Sequence, residues 1–384
     1  MKEQYKNIFT FADSLFEDST PDNPAWYTTR WKKKEGWNYV DGCVLKAAMD
    51  LYYAAGDKKY LDFVKSFVDF YVDENGVIAG YDLEEYNCDH VNEGKVLFDL
   101  YAIFGDEKYK KAIELLYKQV QGQPRTKAGN FWHKKIYPFQ VWLDGLYMVQ
   151  PFYVAYDMLF GGKKEYPDSI KQFENVFALM KDEKTGLFYH GYDESREMFW
   201  ADKETGLSPH FWSRAMGWYA MAIVDTADKL TDELSDEKKI LSLHLKALVD
   251  AILDVMGPDK MLYQVTDLIN REGNYAETSG TLGIAYSILK GVRLKLLSAD
   301  YFDKGMEMFE AVLSEKFVVE DGKFVLKDIV LVSGLGGMPG QGDYQPRDGT
   351  FEYYISEPRI NNDGKGVAPL LFTLSEVLQR ESEK

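Results

Sequence analysis

The pentapeptide GDKKY at Gly56–Tyr60 returns as GDEKY at Gly105–Tyr109, 49 residues later, and a looser copy stands at Gly162–Tyr166. Each copy separates two apolar patterns of different kinds. Before the first, Val44–Ala55 carries small and apolar residues nearly all round, as a helix buried on several sides does. After it, Tyr60–Tyr71 sets Leu61, Val64, Phe67, Val68 and Tyr71 at helical spacing, with Asp62, Lys65 and Asp69 between them, which is the pattern of a helix with one wet face. Val96–Phe104 and Tyr109–Val120 repeat the pair around the second copy, and Trp142–Phe160 and Ser169–Met180 repeat it around the third. Farther on, Ala215–Leu230 pairs with Glu237–Val255, Thr281–Leu297 with Tyr301–Glu315, and Val367–Gln379 with the N-terminal Lys2–Phe16. One such hairpin cannot cover its own apolar face, so it must stack on its neighbours. Six of them closed into a ring predict an all-α fold, an (α/α)6 barrel with a buried inner layer and an amphipathic outer one. Lys323–Val332, which alternates and is β-branched after the Asp321-Gly322 turn signal, predicts a small β-hairpin inserted between helices. No Ser/Pro-rich linker or charge block divides the chain, so residues 1–384 read as a single domain.

Charge and composition narrow the function. Asp and Glu outnumber Lys and Arg by 62 to 45, a net charge of -17, and the resulting field repels phosphate backbones and anionic lipid. No nucleic acid or membrane partner is expected. The N-terminal residues lack a secretory pattern, no uncharged run reaches about 18 residues, and the two cysteines, Cys43 and Cys88, suit a reducing cytoplasm as free thiols, with a lone bridge between them as the alternative. H-E-x-x-H, C-x-x-C, G-x-S-x-G and the phosphate-binding loop are all absent, so the chemistries they mark receive little support. The cluster Ser333–Gly342 has G-x-G spacing without a strand-turn-helix context and reads as a flexible loop. A monomer is the default expectation.

The aromatic content is high, with 27 Tyr, 23 Phe and 8 Trp. The tryptophans fall in groups at 26, 31 and 37, at 132 and 142, and at 200, 212 and 218. Flat apolar faces with a polar edge suit sugar rings as well as protein cores. Three long loops, Gln121–Gln140, Thr185–Trp212 and Gly334–Lys365, precede inner helices, and loops beyond about 15 residues are usually functional. The stretch NFWHKKIYPFQVWLDGLYM, Asn130–Met148, puts Asp144 at the start of a buried helix. Asp144 is either a first-turn acid stabilised by the helix dipole or a shielded proton donor whose pKa is raised by Trp142, Tyr147 and Met148. Desolvation can move a carboxyl by about 3 to 5 units and the dipole by less than about one, so a raised pKa is the expectation. Asp89 in YNCDHVNEGK is either an N-cap or a second carboxylate facing Asp144, and ring closure would bring both to one rim. His90, His133, His190 and His210 flank the same loops, while His244 lies in an outer helix. Together with Lys134 and Arg214, which sits between Trp212 and Trp218 in HFWSRAMGWYAM, they could hold an acidic substrate. An internal salt bridge is the other reading of Arg214.

These motifs, FWHKKIYPFQVWLDGLYM, SRAMGWYAMA and ETSGTLGIAYSILKG, resemble in order and spacing the unsaturated rhamnogalacturonyl hydrolases of glycoside hydrolase family 105, with unsaturated glucuronyl hydrolases of family 88 as more distant relatives. The resemblance covers nearly the whole chain and implies a six-hairpin α/α barrel. It implies Asp144 as proton donor and Asp89 as the second acid. It also implies sugar contacts from Tyr39, His133, Lys134, Trp142, Met148, His190, Arg214 and Trp218. Members often carry Gly-Asn before the GW of SRAMGW, where this chain has Ala215-Met216, so a polar contact from that turn is not carried over. The implied substrate is a lyase-generated oligosaccharide, from pectin, ending in a 4,5-unsaturated uronic acid. The implied reaction is hydration of its enol ether, with no metal or organic cofactor. A sugar epimerase or inverting glycosidase on the same architecture, and a non-catalytic carbohydrate-binding protein, are the competing readings.

Overall fold

The computed structural model describes residues 2–27, 36–336 and 346–382. Trp31 and residues 337–342 of the glycine cluster lie outside them. The helices are α1 (Glu3–Glu17), α2 (Tyr39–Ala55), α3 (Lys58–Tyr71), α4 (Cys88–Asn92), α5 (Lys95–Phe104), α6 (Glu107–Gly122), α7 (Leu143–Tyr156), α8 (Tyr166–Met180), α9 (Ser213–Lys229), α10 (Ser235–Val255), α11 (Thr278–Arg293), α12 (Phe302–Glu315), α13 (Phe351–Ser356) and α14 (Gly364–Ser382). The repeated GD dipeptides punctuate them as their chemistry requires. Gly56 and Gly105 end α2 and α5 in the left-handed conformation, with φ of 73° and 65°, and Asp57 and Asp106 then cap α3 and α6 by accepting from Lys59 N and Lys108 N.

The sequence pairs are contacts: α2 packs on α3, α5 on α6, α7 on α8, α9 on α10, α11 on α12, and α14 on α1. The first members also pack on one another in a circuit that runs from α2 through α4 and α5 to α7, α9, α11 and α14, and back to α2. Close approach within the circuit is set by small residues. A Cβ on Gly42 of α2 would sit 2.5 Å from the Glu93 Cα beside α4, and one on Gly280 of α11 would sit 2.8 Å from the Ser213 carbonyl carbon on α9. One large apolar cluster joins the circuit helices to their partners.

Several boundaries differ from the sequence reading. α2 begins at Tyr39 rather than Val44, because Asn38 caps it by accepting from Val40 N and Asp41 N. Val96–Phe104 is α5 to within a residue, but a further short helix, α4, precedes it across Glu93-Gly94, where a Cβ on Gly94 would come within 2.3 Å of a Leu116 methyl. The predicted hairpin exists as β3 (Phe317–Glu320) and β4 (Lys323–Leu326), closed by Asp321 and Gly322 with φ of 50° and 78°. Two further pairs were not predicted, β1 (Gln140–Trp142) with β2 (Gly191–Asp193), and β5 (Ile329–Val330) with β6 (Arg359–Ile360). Cys43 and Cys88 are both buried and free. Among the described residues no helix is long and apolar enough to cross a membrane.

Candidate active site

The β1–β2 pair assembles the first half of the site. Trp142 pairs with Gly191, and Leu143 N donates to His190 O at 3.1 Å, so the ring of residue 190 is delivered beside residue 144. His190 is fully buried, and its Nε2 lies 3.3 Å from Asp144 Oδ2, an approach not aligned as a hydrogen bond. Its Nδ1 lies 2.9 Å from the hydroxyl of Tyr354 on α13.

A second set of backbone bonds assembles the other half. Cys88 N donates to His133 O, His133 N donates to Gln140 O, and an isolated bridge pairs Asn87 with Lys134. These bonds bring Lys134 Nζ to 2.6 Å from Asp89 Oδ2 and His133 Nε2 to 3.6 Å from Asp89 Oδ1. Asp89 is not the N-cap of α4; Asn87 is, accepting from Asp89 N. The His133 ring stacks on Trp142 at 4.5 Å, and Trp142 stacks on Tyr137 at 5.0 Å. The glycine after Asp144 gives this ring its room, since a Cβ on Gly145 would meet His133 Nδ1 at 3.0 Å. His133 therefore joins the two acids, close to Asp89 through Nε2 and against the Asp144 turn through Nδ1.

The two carboxylates expose only 14% (Asp144) and 13% (Asp89) of their side chains. The raised pKa expected for Asp144 is not what its neighbours produce. Burial does push the carboxyl up, but His190 most of all, then His133 and a backbone N–H, outweigh it and hold Asp144 below the ordinary aspartate value. Burial likewise pushes Asp89 up, and Lys134 with His133 brings it below the ordinary value. His133 itself is pushed down to about 4, chiefly by burial, so it is neutral at pH 7.

The remaining sequence candidates are held by contacts of their own. Tyr39 opens α2, and its carbonyl accepts from Asn92 at 3.0 Å; burial, with Asp89 nearby, pushes its hydroxyl well above the ordinary tyrosine value. Met148 lies one turn beyond Asp144 and is buried, and Trp218 lies one turn beyond Arg214 and stacks on Tyr147 at 4.9 Å. Arg214 is buried without the internal salt bridge offered as its alternative role: among the described residues no carboxylate stands within ion-pair distance. Its guanidinium instead donates to the carbonyls of Val330 and Leu331 and to Ser279 Oγ, and lies 4.8 Å from the Trp212 ring. Lys134 is neutralised by Asp89. His90 lies 3.7 Å from Glu85, and His244 stacks on Phe177 at 4.2 Å. Two site residues were missed. Tyr137 was within reach of the sequence, as a third aromatic in the FWHKKIYPFQVW run, but nothing local marks Tyr354, 164 residues from His190.

A cavity of about 560 Å³ lies at the other, C-terminal ends of the circuit helices, roughly 16 Å from Asp144 along α7. Its charges are largely paired with one another, Lys46 with Asp50 and Asp99, Lys290 with Asp225 and Asp228, and Arg293 with Glu376. It shares no residue with the acid pair. Among the described residues no group of His, Cys, Asp or Glu is placed to hold a metal ion.

The chain matches the model of Glycosyl Hydrolase Family 88 over residues 14–381. It is 42% identical to a family 105 glycoside hydrolase of C. acetobutylicum ATCC 824 of known structure, with a TM-score of 0.88 over 98% of this chain and 99% of that one. Protein Atu3128 of Agrobacterium fabrum is 37% identical over 59% of this chain and 97% of its own length. The unsaturated rhamnogalacturonyl hydrolase YesR of Bacillus subtilis is 22% identical over 67% of this chain and 72% of its own length. The buried acid pair thus stands in a glycosidase framework, and the chain belongs to glycosyl hydrolase family 88, within the part of it related to the family 105 enzymes.

Proposed function

We propose that the protein removes a 4,5-unsaturated uronic acid from the non-reducing end of lyase-generated oligosaccharides, with unsaturated galacturonyl-rhamnose from pectin as the first candidate, and that it does so by hydrating the C4=C5 enol ether. In this reading the helical circuit is the inner wall of a single-domain, six-hairpin α/α barrel, and the site lies at the rim formed by the N-termini of its helices. The observation that carries the reading is the Asp144 turn: a nearly buried carboxylate, backed by His190, beside the Trp142 wall and linked through His133 to a second carboxylate.

Asp144 gives its proton to C4, and positive charge develops over C5 and the ring oxygen. Asp89, kept ionised by Lys134, faces that charge. Water adds at C5 and loses its proton to a carboxylate, and the resulting hemiketal opens and releases the neighbouring sugar. No bond at the anomeric carbon is displaced directly, so the usual rule relating carboxylate separation to stereochemistry does not apply. Binding an anionic ring over Asp144 expels water and brings a like charge, and both raise the aspartate's pKa toward a working acid. The half-buried rings of Tyr137 and Tyr39 offer faces for the sugar, with the buried Trp142 stacked against Tyr137.

A panel of unsaturated oligosaccharides from pectin, ulvan and glycosaminoglycans, followed by loss of the near-ultraviolet enol-ether band, tests the reading. Turnover on the panel is expected, and Asp144→Asn should keep the fold while losing ~10²- to 10⁴-fold in rate. Products that retain the band would indicate an epimerase, and binding without reaction would indicate a carbohydrate-binding protein.

A further inference from the structure

We propose that Tyr354 is a positioning residue that locks the tautomer of His190 and so divides the labour between the two oxygens of Asp144: Oδ2 faces Nε2 of His190, and Oδ1 carries the proton delivered to substrate. The proposal rests on the reading of Asp144 as proton donor. Tyr354 and His190 are both fully buried, and the tyrosine hydroxyl stands 2.9 Å from Nδ1 of the histidine. Among the described residues it is the one hydrogen-bond partner of that nitrogen. The tyrosine is itself anchored. Gln264 Nε2 donates to the Tyr354 carbonyl at 3.0 Å, Trp212 Nε1 donates to Gln264 Oε1 at 3.0 Å, and the Trp212 ring stacks on Tyr354. Burial drives the ionisation of Tyr354 far above the ordinary range, so the hydroxyl keeps its proton.

A protonated hydroxyl with one neighbour donates to it. Nδ1 is then the acceptor, and a ring carrying one proton holds it on Nε2, the nitrogen 3.3 Å from Asp144 Oδ2. Oδ2 is sealed from solvent and has no other partner among the described residues, so the exposed 14% of the Asp144 side chain excludes it. The open oxygen is Oδ1. With the N–H on the Oδ2 side, a proton taken up by Asp144 is favoured on Oδ1, the side open to an incoming ring. Without the tyrosine hydroxyl, Nδ1 can take the ring proton. Bare Nε2 then draws the carboxyl proton onto Oδ2, where it cannot reach C4. The other titratable groups around the pair are His133, with Asp89 and Lys134 behind it, and Asp348 on the Tyr354 side. A change at Tyr354 leaves all of them in place.

Two measurements on Tyr354→Phe test this. In the first, the pH profile of turnover is read on an unsaturated uronyl disaccharide. The plateau kcat should fall about 10-fold, while the alkaline limb of kcat/KM moves up by about half a pH unit or more, because the carboxylate has lost the N–H dipole on its Oδ2 side. A loosened site would lower kcat without that upward shift, and a profile that superimposes on wild type overturns the proposal. The second measurement needs no substrate: nitrogen NMR of histidine-labelled protein, with His190 assigned by His190→Gln. Wild type should show His190 protonated on Nε2, and the Phe variant should show Nδ1 protonation gaining population. A wild-type His190 protonated on Nδ1, or one tautomer shared by both proteins, overturns the proposal whatever the substrate proves to be. If the tautomers behave as expected and neither protein consumes the enol ether, the functional reading falls and the lock stands.

Discussion

Gly145→Ala places two principles in opposition at the centre of the site. Gly145 lies in the first turn of α7 without the positive φ that would reserve the position for glycine, so helix propensity alone favours alanine by about 0.5 to 1 kcal/mol. The added methyl, however, would stand 3.0 Å from His133 Nδ1, where ordinary contact begins near 3.4 Å. The ring cannot easily yield those few tenths of an ångström. Trp142 is stacked on it at 4.5 Å, Tyr137 backs Trp142, and the ring's far nitrogen is 3.6 Å from Asp89. Overpacking of this kind costs about 1 to 3 kcal/mol, so the balance is destabilising by roughly 0 to 2.5 kcal/mol. At ~2 cal/mol/K of unfolding entropy per residue, that is a melting shift of only a few degrees or less for this chain. The functional effect should be larger. Displacing His133 moves the group joining the two acids, and misplacements of ~1 Å in such sites cost on the order of 100-fold. We expect Gly145→Ala to melt within a few degrees of wild type while its rate of enol-ether loss falls at least ~10-fold. A variant that melts higher and turns over normally would refute the claim that this glycine exists to admit the His133 ring.

Three further outcomes follow from the same geometry. Because His190 and His133 hold Asp144 below the ordinary carboxylate range in the free protein, and substrate should reverse this, the alkaline limb of kcat should lie at higher pH than that of kcat/KM; coincident limbs would show that binding does not retune the acid. Arg214→Ala should weaken an unsaturated uronyl ligand more than a neutral analogue. It should also lower the urea midpoint, since the buried Val330 carbonyl, at about 1 to 3 kcal/mol, and the half-buried Leu331 carbonyl lose their donor, and an unchanged midpoint would show that Arg214 does not hold that segment. Lys95, buried with its ammonium donating to Tyr147 O, is pushed down to about 7 by burial, so between about pH 7 and 10 the unfolded chain binds the extra proton and stability should rise with pH. Lys95→Met should remove that contribution, flattening the pH dependence over pH 7–9 by up to ~1.4 kcal/mol per unit, and equal slopes in both proteins would exclude it.

The helical plan was legible because it is written locally. The GD repeats stop one helix and cap the next within three residues, and the alternation of all-round apolar with one-faced patterns marks which helix of each pair is enclosed. The candidate site was legible in part, because Trp142, Asp144 and Met148 are close in the chain and His133 and Lys134 lie in the loop before them, although Tyr137 in that loop was missed. The break at Gly94, the β1–β2 pair and the partner of His190 were not, because each depends on a surface supplied by a distant segment.

Asp144 shows where that division falls. Its place in the first turn of an enclosed helix, after an aromatic run and before a glycine, follows from residues within a few positions of it, since helix periodicity and turn chemistry are short-range. Its charge does not. Burial alone would have made it a weak acid, and the opposite direction comes from His190 and His133, which backbone pairing and packing bring against it. Electrostatic energies depend on distances in space between groups that the chain keeps apart, so only the folded arrangement could decide the sign.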